Sequence, residues 1–598
     1  MKTMNAPASP TIVNPLARPA HDLDGKWAYH VDPYDFGFFD YRLQPWDKSE
    51  PITGGYALNR QPANESELIE YAFDDRISLQ VPRDWNSQDP KLFYYEGSVW
   101  YRRMFDAPPS RKGKRFILYF GGANYEKDVY LNGRKLGTHV GGFTPFQFEV
   151  TDRLMETGNF LVVRVNNRRK PEAVPTVNTD WWNYGGLTRE VRLLEVPATY
   201  LADYTIKLAR GAGDRVQVRV RFDGLRRQQS VVLRIPELGI ERTFATDASG
   251  TGAIEFSVSG LQRWCPENPR LYDVQLKGET DSTAERIGFR TIETRGREIL
   301  LNGQPVFLRG ISIHEENSIR GGRACSLEEA RTLLTWTKEL GCNYARLAHY
   351  PHNEHMARLA DEMGLLLWEE IPVYWTIQWE NPDTLAHAKQ QLAELIERDK
   401  NRASVIIWSV ANETPPSEAR TRFLKALVDL VRERDDTRLV SAALEPHWDQ
   451  RYPGLTIIDD PFGQYTDIVA FNQYKGWYGP DLPDTCRQVQ WKIGYEKPVL
   501  ISEFGGDALA GHHGPETKRF TEEYQAWLYR ETMPMLERIP GFSGVSPWIL
   551  ADFRSPRRLM PGLQDGWNRK GLIGEAGTKK AAFYFLQDYY RQKATSST

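Results

Sequence analysis

Apolar residues fall at every second position through much of the first half of this chain, and at three- and four-residue spacing through much of the second. The early runs "GSVWYRRMF", "RFILYFGGA", "DVYLNGRKLG", "FQFEV" and "LVVRVNN" are short, rich in β-branched and aromatic residues, and divided by Gly, Asn and Asp; such runs read as strands. "LNG" at 131–133 signals a hairpin turn. After an N-terminal arm over 1–22, residues 23–198 are predicted to form a jelly roll. The runs "RVQVRVRF", "SVVLRIPEL" and "GAIEFSVSG" continue the alternation of half-buried antiparallel strands. They predict an immunoglobulin-like β-sandwich over 199–293.

From 294 onward strands alternate with helical patterns. "PVFLRGISIH" leads into "SLEEARTLLTWTKELG", where Ser326 and Glu329 form a capping box and Gly341 ends the helix. "NYARLAHYP", "LLLWEEIPV", "SVIIWSVANE", "RLVSAALE", "DIVAFNQY", "PVLISEFGG" and "GVSPWILADF" follow, most of them trailed by a helical pattern. Eight strands in this order predict a TIM barrel, (β/α)8, over 294–598.

Composition changes this picture little. The 76 Lys and Arg against 79 Asp and Glu give a net charge of −3, which offers no field for nucleic acid or an anionic membrane as partner. Cys265, Cys325, Cys342 and Cys486 form no CxxC pair, so neither a zinc ribbon nor a disulfide framework is indicated. The N-terminus lacks an apolar signal core, which leads to a cytoplasmic expectation, or a periplasmic or secreted one if a signal was trimmed. The 18 Trp and 28 Tyr suit stacking on sugar faces as well as core packing.

In such barrels the reacting groups stand at the C-terminal ends of the strands. Those ends carry His314 and Glu315, His349, Glu369 and Glu370, Asn412 and Glu413, Tyr474, Glu503, and Trp548 and Asp552. Glu413 and Glu503 are 90 residues apart, three βα units, which carries strand 4 to strand 7. Two carboxyls about 5 to 5.5 Å apart across a barrel mouth are the machinery of a retaining glycosidase. "HYPHNEH" clusters His349, His352 and His355, but the spacing of three and the intervening Pro351 do not match helical metal ligands. No metal and no cofactor are expected.

"DGKW", "DWWNYGGLTREV", "WCPENPRLY", "GFRTIE", "LNGQPVFLRGISIHEEN", "RLAHYP", "IIWSVANE" and "VLISEFGG", in that order over nearly the whole chain, resemble glycoside hydrolase family 2. The resemblance implies Glu413 as acid/base and Glu503 as nucleophile. It implies Asn412 on the sugar 2-hydroxyl, Tyr474 holding the nucleophile, His349 and Trp548 lining the sugar subsite, and Asp180 reaching the mouth from the jelly roll. His314, Glu315 and Tyr478 are further candidates. "NRKG" at 568–571 resembles the N-x-K motif of β-glucuronidases, whose Asn and Lys bind the C6 carboxylate, here Asn568 and Lys570. A neutral hexose would leave Lys570 unpaired there, while Arg569 is left as a second cation or a solvent-facing one.

The implied function is a retaining exo-β-D-glucuronidase acting on β-uronides. A β-galacturonidase or dual-specificity uronidase, a β-galactosidase and a non-catalytic carbohydrate-binding protein are the alternatives. Gln564 stands where the compared glucuronidase has an arginine, and the loop after strand 3 is short, which implies an open mouth and an oligosaccharide leaving group. A homo-oligomer is expected by analogy.

Overall fold

The first sandwich pairs a six-stranded antiparallel sheet with a four-stranded one. The long strands Ser98–Phe105 and Asn159–Asn166 run the length of the larger sheet. Their inward residues, with Trp27, Trp85 and Phe116, fill the core between the sheets. The "LNG" turn is present: Asn132 and Gly133 both have positive φ, 52° and 74°, the geometry that matches the twist of the hairpin it joins. The computed structural model describes residues 11–109, 111–448, 451–452 and 454–596; positions 1–10 of the expected arm lie outside them. Positions 12–22 bind the two sandwiches together. Ala20–Asp22 adds a strand to the smaller sheet of the first, while Val13 packs into the core of the second.

The second sandwich has three strands facing four. In Arg215–Asp223 Val216, Val218, Val220 and Phe222 are buried and the arginines between them are not, as a period of two requires when one face meets the core. A hairpin, Ile292–Arg295 with Glu298–Leu301, then packs Ile292, Ile299 and Leu301 against Leu308, Leu366 and Leu500 at the barrel's lower end. That end is thereby sealed, and access is left at the other.

The barrel closes through a broken first strand. Leu308–Arg309 pairs with Phe542–Val545, strand 8, and Ser312–Ile313 pairs with Tyr344–Leu347, strand 2. Leu366–Glu370, Val405–Asn412, Leu439–Leu444, Val469–Asn472 and Val499–Glu503 complete the parallel ring as strands 3 to 7. Val405–Asn412 is buried at all eight positions, because helices cover one face and the barrel core the other. Ser326 and Glu329 do form the capping box at the head of Leu327–Glu339. One expectation needs correction. Strand 8 ends at Val545, so Trp548 and Asp552 stand on irregular chain beyond it. After strand 6 the chain makes a six-residue 3-10 turn, Pro483–Gln488. No helix among the described residues is long and apolar enough to cross a membrane.

Candidate active site

The centre of the site is a buried charge that lies outside the strand-end candidates. Arg346 projects from strand 2 into the barrel with none of its side chain exposed. Its guanidinium reaches Glu370 at 2.9 Å, Glu503 at 2.8 Å and the Asn412 side-chain oxygen at 2.7 Å. Burial alone would ease its proton off, but the two carboxylates outweigh that and hold it charged. Burial likewise favours a neutral Glu370, yet Arg346 and His349 draw it down to about 2. His349 turns Nδ1 to Glu370 at 2.9 Å, leaving Nε2 3.6 Å from Glu503. Glu503 accepts a second hydrogen bond, from the Tyr474 hydroxyl at 2.7 Å. Both of its oxygens are thus fixed before any substrate arrives.

Glu413 is built differently. It follows strand 4 with a left-handed backbone, φ 48°, rare for a residue with a side chain, and its N–H donates to the Ala443 carbonyl of strand 5. One carboxyl oxygen accepts from Asn472 at 2.9 Å and the other from the Trp375 indole at 2.8 Å. Trp375 is itself held by a backbone bond to Asn412. Among the described residues no cation touches Glu413, so burial, then Glu503, then Glu445 raise its pKa to about 7 despite those two donors. Two carboxyls in one mouth therefore sit in opposite surroundings, one beside a guanidinium and one beside neutral donors, the arrangement that separates an acid from a nucleophile.

Two buried polar atoms of the mouth point at nothing among the described residues. The Asn412 oxygen is occupied by Arg346 and Asn472, so its amide nitrogen is turned inward with no partner. His314 sets Nδ1 3.1 Å from the Tyr350 hydroxyl and leaves Nε2 buried and unbonded; burial, then His349, holds it well below the ordinary histidine range. Trp548 stacks on His349 with centroids 4.7 Å apart, and Trp181 from the first sandwich lies against His349 and Tyr374. Orphaned buried polar atoms are costly unless a ligand satisfies them, and here they converge in a cup of aromatic rings.

The loop after strand 8 forms one side of that cup. Phe553–Arg554 pairs with Trp567–Asn568, and Asn568 lies opposite Phe553. Asn568 is fully buried, 3.4 Å from Asp180, with its oxygen taken by the Lys570 N–H. The Lys570 ammonium lies among the rings of Tyr474, Trp477 and Tyr478, 5.9, 5.6 and 5.2 Å from their centroids. Burial would lower its pKa, and Asp507 at 2.8 Å overrides that and holds it raised. Lys570 is therefore already paired without substrate, which corrects the expectation that a neutral sugar would leave it alone. An ammonium has three donors, and one carboxylate oxygen does not exhaust them.

Three further expectations change. Arg569 is neither exposed nor on the carboxylate side: its guanidinium binds Glu575 at 2.5 Å and Leu563 through its carbonyl. In extended chain, positions 568 and 570 share one face and 569 takes the other. Glu315 is not in the cup. It pairs with Arg323 at 2.9 Å and with Arg189 of the first sandwich at 3.2 Å, which makes it a rivet between sandwich and barrel. Gln564 donates to Asp507 at 2.7 Å, and it is Arg558 that reaches Asp180 and the Tyr478 hydroxyl. Glu315→Gln should leave two buried guanidiniums undercompensated and cost about 3 to 5 kcal/mol, read as a lowered denaturation midpoint. A loss under ~1 kcal/mol would show that the contact carries no such load.

The histidines of "HYPHNEH" part company: His349 faces the cup, His352 bonds the Ala348 carbonyl, and His355 lies in the first turn of the helix Glu354–Met363. Among the described residues no group of three His, Cys, Asp or Glu side chains could hold a metal ion. Arg346 had left a trace in the sequence, as the one charge in the apolar run "NYARLAHYP". Trp375, Asn472, Asp507 and Arg558 had left none, since each matters only through what the fold sets beside it.

Residues 292–590 match the description "Glycosyl hydrolases family 2, TIM barrel domain", 20–197 the family's sugar binding domain, and 198–290 the segment described as "Glycosyl hydrolases family 2". A β-glucuronidase of Paenibacillus borealis is 28% identical over 624 aligned residues, covering 96% of this chain and 97% of that one. A β-glucuronidase structure from Lactobacillus rhamnosus superposes with a TM-score of 0.81 at 27% identity, covering 97% and 99% of the two chains. A family 2 β-galacturonidase from Eisenbergiella tayi, bound to galacturonate, does so with a TM-score of 0.78 at 25% identity, covering 96% and 98%.

Proposed function

The chain belongs to glycoside hydrolase family 2, and from that premise we propose that it is a retaining, exo-acting β-uronidase, with terminal β-D-glucuronides as its substrates. Glu503 attacks the anomeric carbon while Glu413 protonates the leaving oxygen; Glu413, then ionised, takes the proton of the water that frees the sugar. Asn412 gives its unoccupied amide N–H to the 2-hydroxyl. His349 and Trp548 wall the ring, and Asp180 binds its far hydroxyls.

The observation that carries the uronide is the place of Lys570. Its ammonium is packed against Tyr474, whose hydroxyl holds Glu503, so a sugar with C1 at Glu503 brings C6 toward Lys570 and Asn568. The donors that Asp507 leaves free then meet a carboxylate, and a charge-assisted bond is about twice as strong as a neutral one. A galacturonide is a second reading, favoured by the Eisenbergiella tayi neighbour; it shares the carboxylate and differs at C4.

A panel of aryl β-glucuronide, galacturonide, glucoside and galactoside tests this. Uronides should lead by about 100-fold or more in kcat/KM, and Lys570→Ala should lower that value about 100-fold on uronides, ~3 kcal/mol of transition-state binding, and only a few-fold on neutral sugars. An equal loss on all four would remove the carboxylate role. The ratio of glucuronide to galacturonide decides between the two uronic acids.

A further inference from the structure

The loop after strand 8 sets two adjacent arginines to different tasks. Arg558 turns in, to Asp180 and Tyr478. Arg557 turns out: it is exposed, its Nη1 donates to Asn178 at 2.6 Å, and its guanidinium carbon sits 4.9 Å from the centroid of the Trp375 indole. Among the described residues no carboxylate lies within ion-pair distance of it, although most of the chain's buried or half-buried arginines have one. Trp375 is the residue whose indole N–H holds Glu413. An unpaired guanidinium is thus anchored on the rim at the acid/base.

That location selects a side of the scissile bond. Glu413 delivers its proton to the glycosidic oxygen, and beyond that oxygen lies the group that departs. Only residues 371–381 separate strand 3 from the helix Pro382–Asp399, so no long insertion covers this part of the mouth. Held over the indole with only Nη1 engaged, the guanidinium keeps further N–H groups free, the donors that suit a carboxylate or a sulfate.

We propose that Arg557 is a specificity-determining residue for the leaving group, binding a carboxylate or sulfate carried by the sugar or aryl unit that leaves. This rests on the uronidase reading. The test uses three phenyl β-glucuronides with a meta carboxymethyl, sulfomethyl or carbamoylmethyl group, the methylene insulating the phenol from the charge. Wild type should favour at least one anionic substrate over the carbamoyl one by about 5- to 10-fold in kcat/KM at low salt. Screening should erase the preference as ionic strength approaches about 0.5 M. Whichever anion is preferred identifies the ligand. Arg557→Ala should bring the ratio to about 1, and Arg557→Lys should keep part of it.

A wild-type ratio of 1 for both anions overturns the proposal while leaving the uronidase reading intact. So does an Arg557→Ala variant that lowers all three substrates alike and moves the alkaline limb of the pH profile, since that would make Arg557 a prop for Trp375 and Glu413. If neither these three nor their galacturonide counterparts are cleaved, the uronidase reading fails and the proposal with it.

Discussion

Glu503→Gly is expected to lower kcat on an aryl β-glucuronide by about 10⁴-fold or more, ~5.5 kcal/mol at the transition state. Truncation removes the attacking oxygen and with it the covalent route. It also leaves Arg346 and Tyr474 aimed at an empty space the size of a carboxyl group. Small anions fit that space, so azide or formate should restore turnover, and azide should give the α-glycosyl azide, because it attacks the face that Glu503 would have used. Product stereochemistry by proton NMR is the measurement. A variant retaining more than about a tenth of wild-type kcat would rule Glu503 out as nucleophile.

For Glu413→Ala the expected effect depends on the leaving group. General acid catalysis contributes about 10²- to 10⁴-fold, and that help is needed most by a poor leaving group such as an alkyl or sugar alkoxide. A nitrophenyl glucuronide should still form the glycosyl-enzyme, and azide should then yield the β-azide, the opposite anomer from the Glu503 variant. Two variants giving opposite azide anomers would assign both carboxyls in one experiment; the same anomer from both would falsify the assignment.

The pH dependence follows from the same group. Glu413 must hold its proton to act as acid, and its pKa is raised to about 7, so wild-type kcat/KM should fall as pH rises through about 7, and Glu413→Gln should lack that limb on activated substrates. Stability moves with it. A folded-state pKa above the unfolded one means the folded protein binds the proton more tightly, so this contribution is whole below about 4.5 and lost as pH rises through about 7. The stability difference between Glu413→Gln and wild type should therefore widen in the variant's favour over that window. A difference that stays flat with pH would put the raised pKa in doubt.

Residues conspicuous within their own strand are legible from sequence, and most of the contacts they make with other strands are not. Glu413 and Glu503 stood out because a carboxylate ending an apolar strand is hard to place in a barrel core. Arg346 was readable in principle for the same reason, and its omission hid what holds Glu503. Asn472 and Trp375, which set the proton affinity of Glu413, are ordinary residues on strand 6 and the loop after strand 3. Lys570 was recognised by motif, but its pairing with Asp507 was out of view, since the two lie 63 positions apart in the chain. Glu315 shares its strand end with His314, so position along the chain alone makes it a site candidate. Alternation sends its side chain to the sandwich instead.

The sequence by itself determined the two sandwiches and the barrel, because periods of two and of three to four dictate which face of each element must be buried. It also determined which strand ends carry carboxylates. Only the tertiary structure decided which of those carboxyls meets a guanidinium and which meets neutral donors, and so which group can hold a proton near neutrality. A pKa is set by distances of a few ångströms between residues tens to hundreds of positions apart, and such distances exist only once the barrel has closed.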